Sequence, residues 1–185
     1  MKVAIDPGHG MSNRKPGVYD PGAVHREDGF QFEEATIALA YGLALREALA
    51  TRGVDVFMTR DDAGDHAPVV ERAANAKKAG AHALVSLHLN SVEDDKARGI
   101  EVLFGTPKHE ALAQAMQKAL VAETGFKDRG AKLRTDLAVL RFKGPACLIE
   151  LGFIGNDADR GVLINPERRQ AICNAIATSI SQVVP

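Results

Sequence analysis

Two stretches of the chain, residues 83–89 and 147–154, are apolar almost without a break. A strand with one face in water alternates apolar and polar side chains, so a strand that does not alternate is buried on both faces. Such strands need a covering layer on each side of the sheet. The covering helices are legible as segments with spacings of three and four. Residues 32–52 repeat Leu39, Ala40, Leu43, Ala44 and Ala48 and stop at Gly53. Pro68 opens a second helix through Val69, Ala73 and Ala76 that closes near Gly80. Thr106 and Pro107 start a third, with Leu112, Met116 and Leu120 on its inner face. Asn165 and Pro166 start the last, whose stripe is Ile172, Ile176, Ile180 and Val183. Further strands are expected at residues 3–5, 54–60, 100–104 and 137–141. Residues 11–29 and 125–136 read as loops, and 93–96 as a polar turn. This alternation predicts an α/β fold. Residues 1–185 should form a single domain, a mostly parallel twisted sheet of about six strands with helices on both faces.

Composition narrows the function. Hydrophobic residues make up 45% and charged residues 25% of the 185, a globular balance with no sign of disorder. A net charge of -1 offers no broad basic field for nucleic acid or an anionic membrane. With no Trp and 5% aromatics, base-stacking platforms are equally unexpected. Cys147 and Cys173 read as small core hydrophobes rather than a disulfide. No stretch approaches the roughly 20 apolar residues of a membrane span. Met1-Lys2 leads straight into Val3-Ala4-Ile5-Asp6-Pro7, so no signal peptide is read and synthesis in the cytoplasm is expected.

Glu150 lies in the middle of the second apolar run. An ionised carboxylate costs several kcal/mol to bury unless a cation or hydrogen bonds compensate it; uncompensated, it holds a proton at neutral pH. In an α/β sheet functional groups gather at the carboxyl ends of strands. His9 follows the first strand, His88 ends another, and Glu34 starts the first helix beside a long loop. Taken singly, His9 also reads as a turn residue, His88 as a hydrogen-bonded core histidine and Glu34 as a helix-dipole carboxylate. Taken together, two histidines and carboxylates at corresponding strand ends suit a catalytic zinc site with one position left for water.

Several ordered blocks carry a resemblance. Val3-Ala4-Ile5-Asp6-Pro7-Gly8-His9-Gly10 with Asp20-Pro21-Gly22-Ala23 is similar to the opening signature of the zinc-dependent N-acetylmuramoyl-L-alanine amidases of the Amidase_3 type. Glu34 ahead of Leu39, Thr59-Arg60-Asp61, Arg72 and Asn75, and Val85-Ser86-Leu87-His88-Leu89-Asn90 follow in the family's order. So do Gly99-Ile100-Glu101, Arg129-Gly130, Leu137-Ala138-Val139-Leu140-Arg141 and Glu150-Leu151-Gly152-Phe153-Ile154-Gly155-Asn156. The chain departs from the pattern at Met11, at the insertion 11–19, and at Ala35, which leaves Glu33 as a rival to Glu34 until Leu39 sets the register.

The resemblance implies one zinc ion on His9, Glu34 and His88, with Glu150 as the catalytic carboxylate. Asn90, Arg60 and Arg129 would position substrate or support the site. His25, His66, His82 and His109 are read as surface or packing residues. The implied reaction is cleavage of the amide between the lactyl group of N-acetylmuramic acid and L-alanine in peptidoglycan. Family members of the cell-division type are exported, and some carry an inhibitory helix after the strand matching Ile100–Phe104. Here Gly105-Thr106-Pro107 runs straight on. An unplugged, leaderless domain resembles a phage or prophage endolysin, expected to act as a monomer on the cell wall after release by a holin. An excised domain of an exported protein fits the same reading. A carboxypeptidase-like zinc hydrolase and a wall-binding relative without turnover are the alternatives.

Overall fold

The computed structural model describes residues 1–94 and 96–184; Asp95, within the expected polar turn, lies outside the described residues. Its centre is a six-stranded sheet built from β1 (Lys2–Pro7), β6 (Asp55–Met58), β7 (Ala83–Asn90), β8 (Ile100–Phe104), β9 (Asp128–Leu133) and β10 (Ala146–Phe153). The order is β6-β1-β7-β10-β8-β9, and only the β10–β8 pairing is antiparallel. Outside the sheet, β2 (Gly10–Met11) pairs with β3 (Tyr19–Asp20), and β4 (Val24–Glu27) with β5 (Phe30–Glu33).

The helices are α1 (Glu34–Ala50), α2 (Val69–Lys78), α3 (Glu110–Thr124), α4 (Asp157–Leu163) and α5 (Pro166–Val183). They cover the two faces unequally. On one face Val3, Ile5, Val85, Leu87 and Ile149 pack under Tyr41, Leu45 and Leu49 of α1, Met116 of α3 and Ile176 of α5. Each such side chain, fully buried, contributes about 1.5–3 kcal/mol, so this layer holds most of the core. The other face is covered by α2 and the short helical turn Val139–Arg141, over Ala4, Leu84, Leu103, Ala146 and Leu148. Side chains on a strand alternate between faces, so Asp6, Ser86, His88 and Glu150 continue this second face toward the strands' carboxyl ends. There the apolar cluster gives way to a cleft.

The expected fold class holds, and so does the strand count, although one strand was misplaced. Residues 137–141 contain the helical turn Val139–Arg141 rather than a strand. The sixth strand is β9, within the expected loop 125–136. It is an edge strand with one partner, and edge strands carry the charges that made this stretch read as a loop. The expected loop 11–29 likewise contains β2, β3 and β4, and the helix expected from residue 32 begins at Glu34. The buried stripe of α1 runs through Ile37, Ala38, Tyr41, Leu45, Ala48 and Leu49 rather than the expected Leu39, Ala40, Leu43 and Ala44. Almost every residue from Ile37 to Leu45 is apolar, so spacing alone admits more than one phase. Both cysteines are free and buried, as expected.

Candidate metal centre and cleft

Register lines up the chemistry. Asp6 pairs with Ser86 and Ser86 with Leu148; one step on, His88 pairs with Glu150 and Glu150 with Glu101. A row of titratable side chains therefore crosses β7, β10 and β8 on the open face. β1 ends one residue before Gly8, and the chain turns sharply at His9, whose φ of 59° is the left-handed conformation few non-glycine residues adopt. Two buried guanidinium groups hold this turn. Arg60 donates to the carbonyls of Pro7 (3.0 Å) and Gly8 (2.7 Å), and Arg72 to those of Pro7 (2.7 Å) and His9 (2.7 Å). Asp6 balances Arg72 at 2.8 Å and also accepts from Thr59 and Ser86, both at 2.6 Å. Burial alone would raise the Asp6 pKa, but Arg72 and the two hydroxyls outweigh it and hold the carboxyl below its ordinary range. Gly8 has to be glycine: a Cβ there would stand 2.3 Å from the His88 ring.

The turn brings His9 to Glu34 and His88. Glu34 Oε1 lies 3.1 Å from His9 Nε2 and 2.9 Å from His88 Nδ1, and one ligand atom from each residue falls within 4.8 Å of the others. The imidazole rings meet edge to face with centroids 5.0 Å apart. Glu34 is 4% exposed; its Oε1 accepts the Leu89 N–H at 3.0 Å and its Oε2 the Ala23 N–H at 2.8 Å. Burial pushes the Glu34 pKa up, yet its bonds and charge contacts with His88 and His9 hold it well below the carboxylate range. Behind His9, Asp20 Oδ2 meets Nδ1 at 3.1 Å and also accepts from Asn13 at 2.7 Å. Burial works against the Asp20 charge, but Asn13, the Gly22 N–H and His9 lower its pKa to about 2. An ionised Asp20 holds the His9 ring at Nδ1 and so turns Nε2 toward Glu34.

Glu150 stands apart from this cluster. Among the described residues its Oε2 has no hydrogen-bond partner, and burial above all pushes its pKa up to about 7. The nearby charge of His88 opposes that rise, while those of Glu34 and Glu101 add to it. The residue shares a cleft of about 470 Å³ with His9, Glu34, His88, Asp20 and Leu148. Arg14, from the inserted segment, and Arg134 lie on its walls. Of the two candidate glutamates, Glu34 reaches the histidines; Glu33 accepts from Tyr19 and Gln31 instead. Arg60 is buried beneath the His9 turn, whereas Asn90 and Arg129 both bond Glu101, at 2.9 and 3.3 Å. Sequence reasoning passed over Asp20, Asp6, Glu101 and Lys132. Asp20 and Asp6 sit inside the quoted signature blocks, but nothing in their spacing tells which histidine or arginine each meets.

A mostly parallel α/β sheet with a His/Glu/His cluster beside a buried acid defines a hydrolase-like metal-competent centre. Within that class the chain belongs to the N-acetylmuramoyl-L-alanine amidase family, Amidase_3, whose model matches residues 3–182. It is 27% identical over 180 residues to the probable cell wall amidase LytH of Staphylococcus epidermidis. It is 26% identical over 190 residues to the N-acetylmuramoyl-L-alanine amidase CwlM of Mycobacterium tuberculosis. These matches take in 97% and 98% of this chain but 57% and 45% of those proteins. Among solved structures it is similar to the catalytic domain of CwlV, an amidase from Bacillus (Paenibacillus) polymyxa var. colistinus. The TM-score is 0.86 at 28% identity, covering 98% of this chain and 96% of that one. An N-acetylmuramoyl-L-alanine amidase of Clostridium difficile 630 gives 0.87 at 27% identity, with 98% and 95% covered.

Proposed function

We propose that this chain is a zinc amidase that hydrolyses the bond between the lactyl group of N-acetylmuramic acid and L-alanine in peptidoglycan. The observation that carries the reading is the convergence of His9, Glu34 and His88 beside the unpartnered Glu150 oxygen. Two imidazoles and one carboxylate, open on the cleft side, suit zinc and would hold it. When bound, the ion supplies Lewis acidity toward the amide carbonyl and lowers the pKa of water. The chain's own residues do the rest. Asp20 fixes the His9 ring, and the Leu89 and Ala23 N–H groups fix the Glu34 carboxylate. Glu150 takes a proton from the attacking water and returns it to the departing amine. A carboxyl group that titrates near 7 can do both at neutral pH.

Metal analysis combined with mass spectrometry of digested peptidoglycan tests this. The protein should carry one zinc and release fragments with L-alanine at a new amino terminus. Glu150→Ala should keep the zinc and lose turnover, whereas His9→Ala and His88→Ala should lose both. Release of residues from the peptide's carboxyl end would support a carboxypeptidase instead. Wall lysis is the proposed setting, supported by the passage from β8 into the turn before α3 through Gly105 and Thr106 alone, with no segment there to plug the cleft. Purified protein added to isolated walls should lower their turbidity without a separate activating factor.

A further inference from the structure

β9 carries an extra residue where it faces β8. Ile100 pairs with Asp128 but Val102 with Ala131, so two steps along β8 match three along β9. The surplus falls at Gly130, whose φ of 83° is the left-handed conformation of a glycine bulge. Positions three apart on a regular strand point to opposite faces. The bulge cancels that, and Arg129 and Lys132 both reach the same oxygen, Oε2 of Glu101. Glu101 is the last member of the row that starts at His88 and Glu150.

Charge around Glu101 does not balance. One carboxylate faces two cations, and Asn90 occupies its other oxygen at 2.9 Å. Arg129 spends only Nε on Glu101, and its guanidinium lies over the Phe153 ring, 4.8 Å from the centroid. Among the described residues neither terminal nitrogen of Arg129 has a partner. The side chains of Arg129 and Lys132 are 29% and 46% exposed, within reach of a ligand. Arg134, which follows β9, adds a third cation on the cleft wall, although Asp136 holds it at 2.9 Å. The flat, stacked guanidinium with two free terminal nitrogens suits a bidentate carboxylate.

We infer that Arg129 and Lys132 form a carboxylate-binding subsite that selects the peptide side of the substrate. This deepens the amidase reading and rests on it. Neighbouring strands lie about 4.8 Å apart, so Glu101 stands roughly 10 Å from His88 across the row. Two residues of extended peptide span about 7 Å, and the two cationic side chains meet Glu101 at the far end of that row, beyond Arg134 on the cleft wall. The carboxylate in range is therefore on the residue after L-alanine. Where that residue is a glutamate joined through its side-chain carboxyl, its α-carboxylate is free to bind. Amidation of that group removes the charge and puts N–H donors against N–H donors.

Two muramoyl-tripeptides test the subsite, differing only in a free or amidated α-carboxyl on the second residue. kcat/KM is measured for both, and calorimetry gives Kd for the matching sugar-free peptides. The wild type should favour the free acid about tenfold, the order expected of a partly exposed charge-assisted pair. Arg129→Gln and Lys132→Gln should each shrink that ratio, the double variant should abolish it, and Lys132→Arg should retain it. Equal handling of the two substrates by the wild type, or a ratio that survives in the double variant, overturns the subsite. Turnover without preference would sink the subsite and leave the amidase reading intact. A preference in Kd without turnover would do the reverse.

Discussion

Glu150 pairs in register with His88, yet the two are held in opposite electrostatic conditions. His88 Nδ1 meets the Glu34 carboxylate, whereas Glu150 Oε2 has no partner among the described residues. The stability consequence follows from the sign of the shift. Unfolded, the Glu150 carboxyl titrates near 4.5; folded, burial raises it to about 7. Ionising it therefore costs the native state as pH rises through this window, with the full penalty above 7 and none below 4.5. Glu150→Gln removes the charge but keeps the shape. In metal-free protein, thermal melts should show Glu150→Gln as the more stable form at pH 8, with the gap closing by about pH 5. A gap independent of pH would mean that Glu150 is not buried as described. A bound divalent cation opposes the shift, so adding zinc should narrow the gap at pH 8. The importance of Glu150 was legible in sequence because a carboxylate inside an unbroken apolar run is costly. The partners of Asp6 and Asp20 were not, because those bonds exist only after β1, β7 and the loop between β2 and β3 have come together.

At the scale of elements, what could be read depended on how strongly local chemistry signals each boundary. Asn165-Pro166 marked α5 to the residue: the Asn165 side chain accepts the N–H groups of Glu167 and Arg168, at 2.9 and 3.0 Å. Asn165→Ala should cost about 1 kcal/mol, the usual worth of such a cap. That should appear as a lower denaturant midpoint with zinc content unchanged; lost zinc would tie α5 to the site more tightly than its distance in the fold implies. β9 carried no such signal, since its single partner and its charged side chains make it read as a loop. The β4–β5 hairpin did carry one: Asp28-Gly29 takes positive φ at both positions, the geometry of a two-residue hairpin turn. The expectation of a loop passed over that dipeptide. Residues 137–141 failed for the opposite reason. A short apolar run fits a strand or a packed turn equally well, and only contact with Ala76 and Leu148 decides between them.

Over the whole molecule, the three candidate ligands come from the turn after β1, the start of α1 and the end of β7. No short segment holds the set, so the unfolded chain presents at most scattered single donors to an ion. An ion that binds only the folded form stabilises it by mass action. Chelation should therefore lower Tm and zinc should restore it, with the midpoint following free zinc concentration. The apolar stripes of α1, α3 and α5 that hold the sheet together pack on the opposite face from His88 and Glu150, and only Glu34, at the first turn of α1, reaches round the strand ends to the cluster. That separation sets an order of events. Strand pairing and helix docking can finish without the ion, which then enters a ready-made nest as the last component. Refolding in chelator should return the native far-UV spectrum at an unchanged rate. Activity should follow only after zinc is supplied, in a second phase whose rate scales with zinc concentration while the first does not.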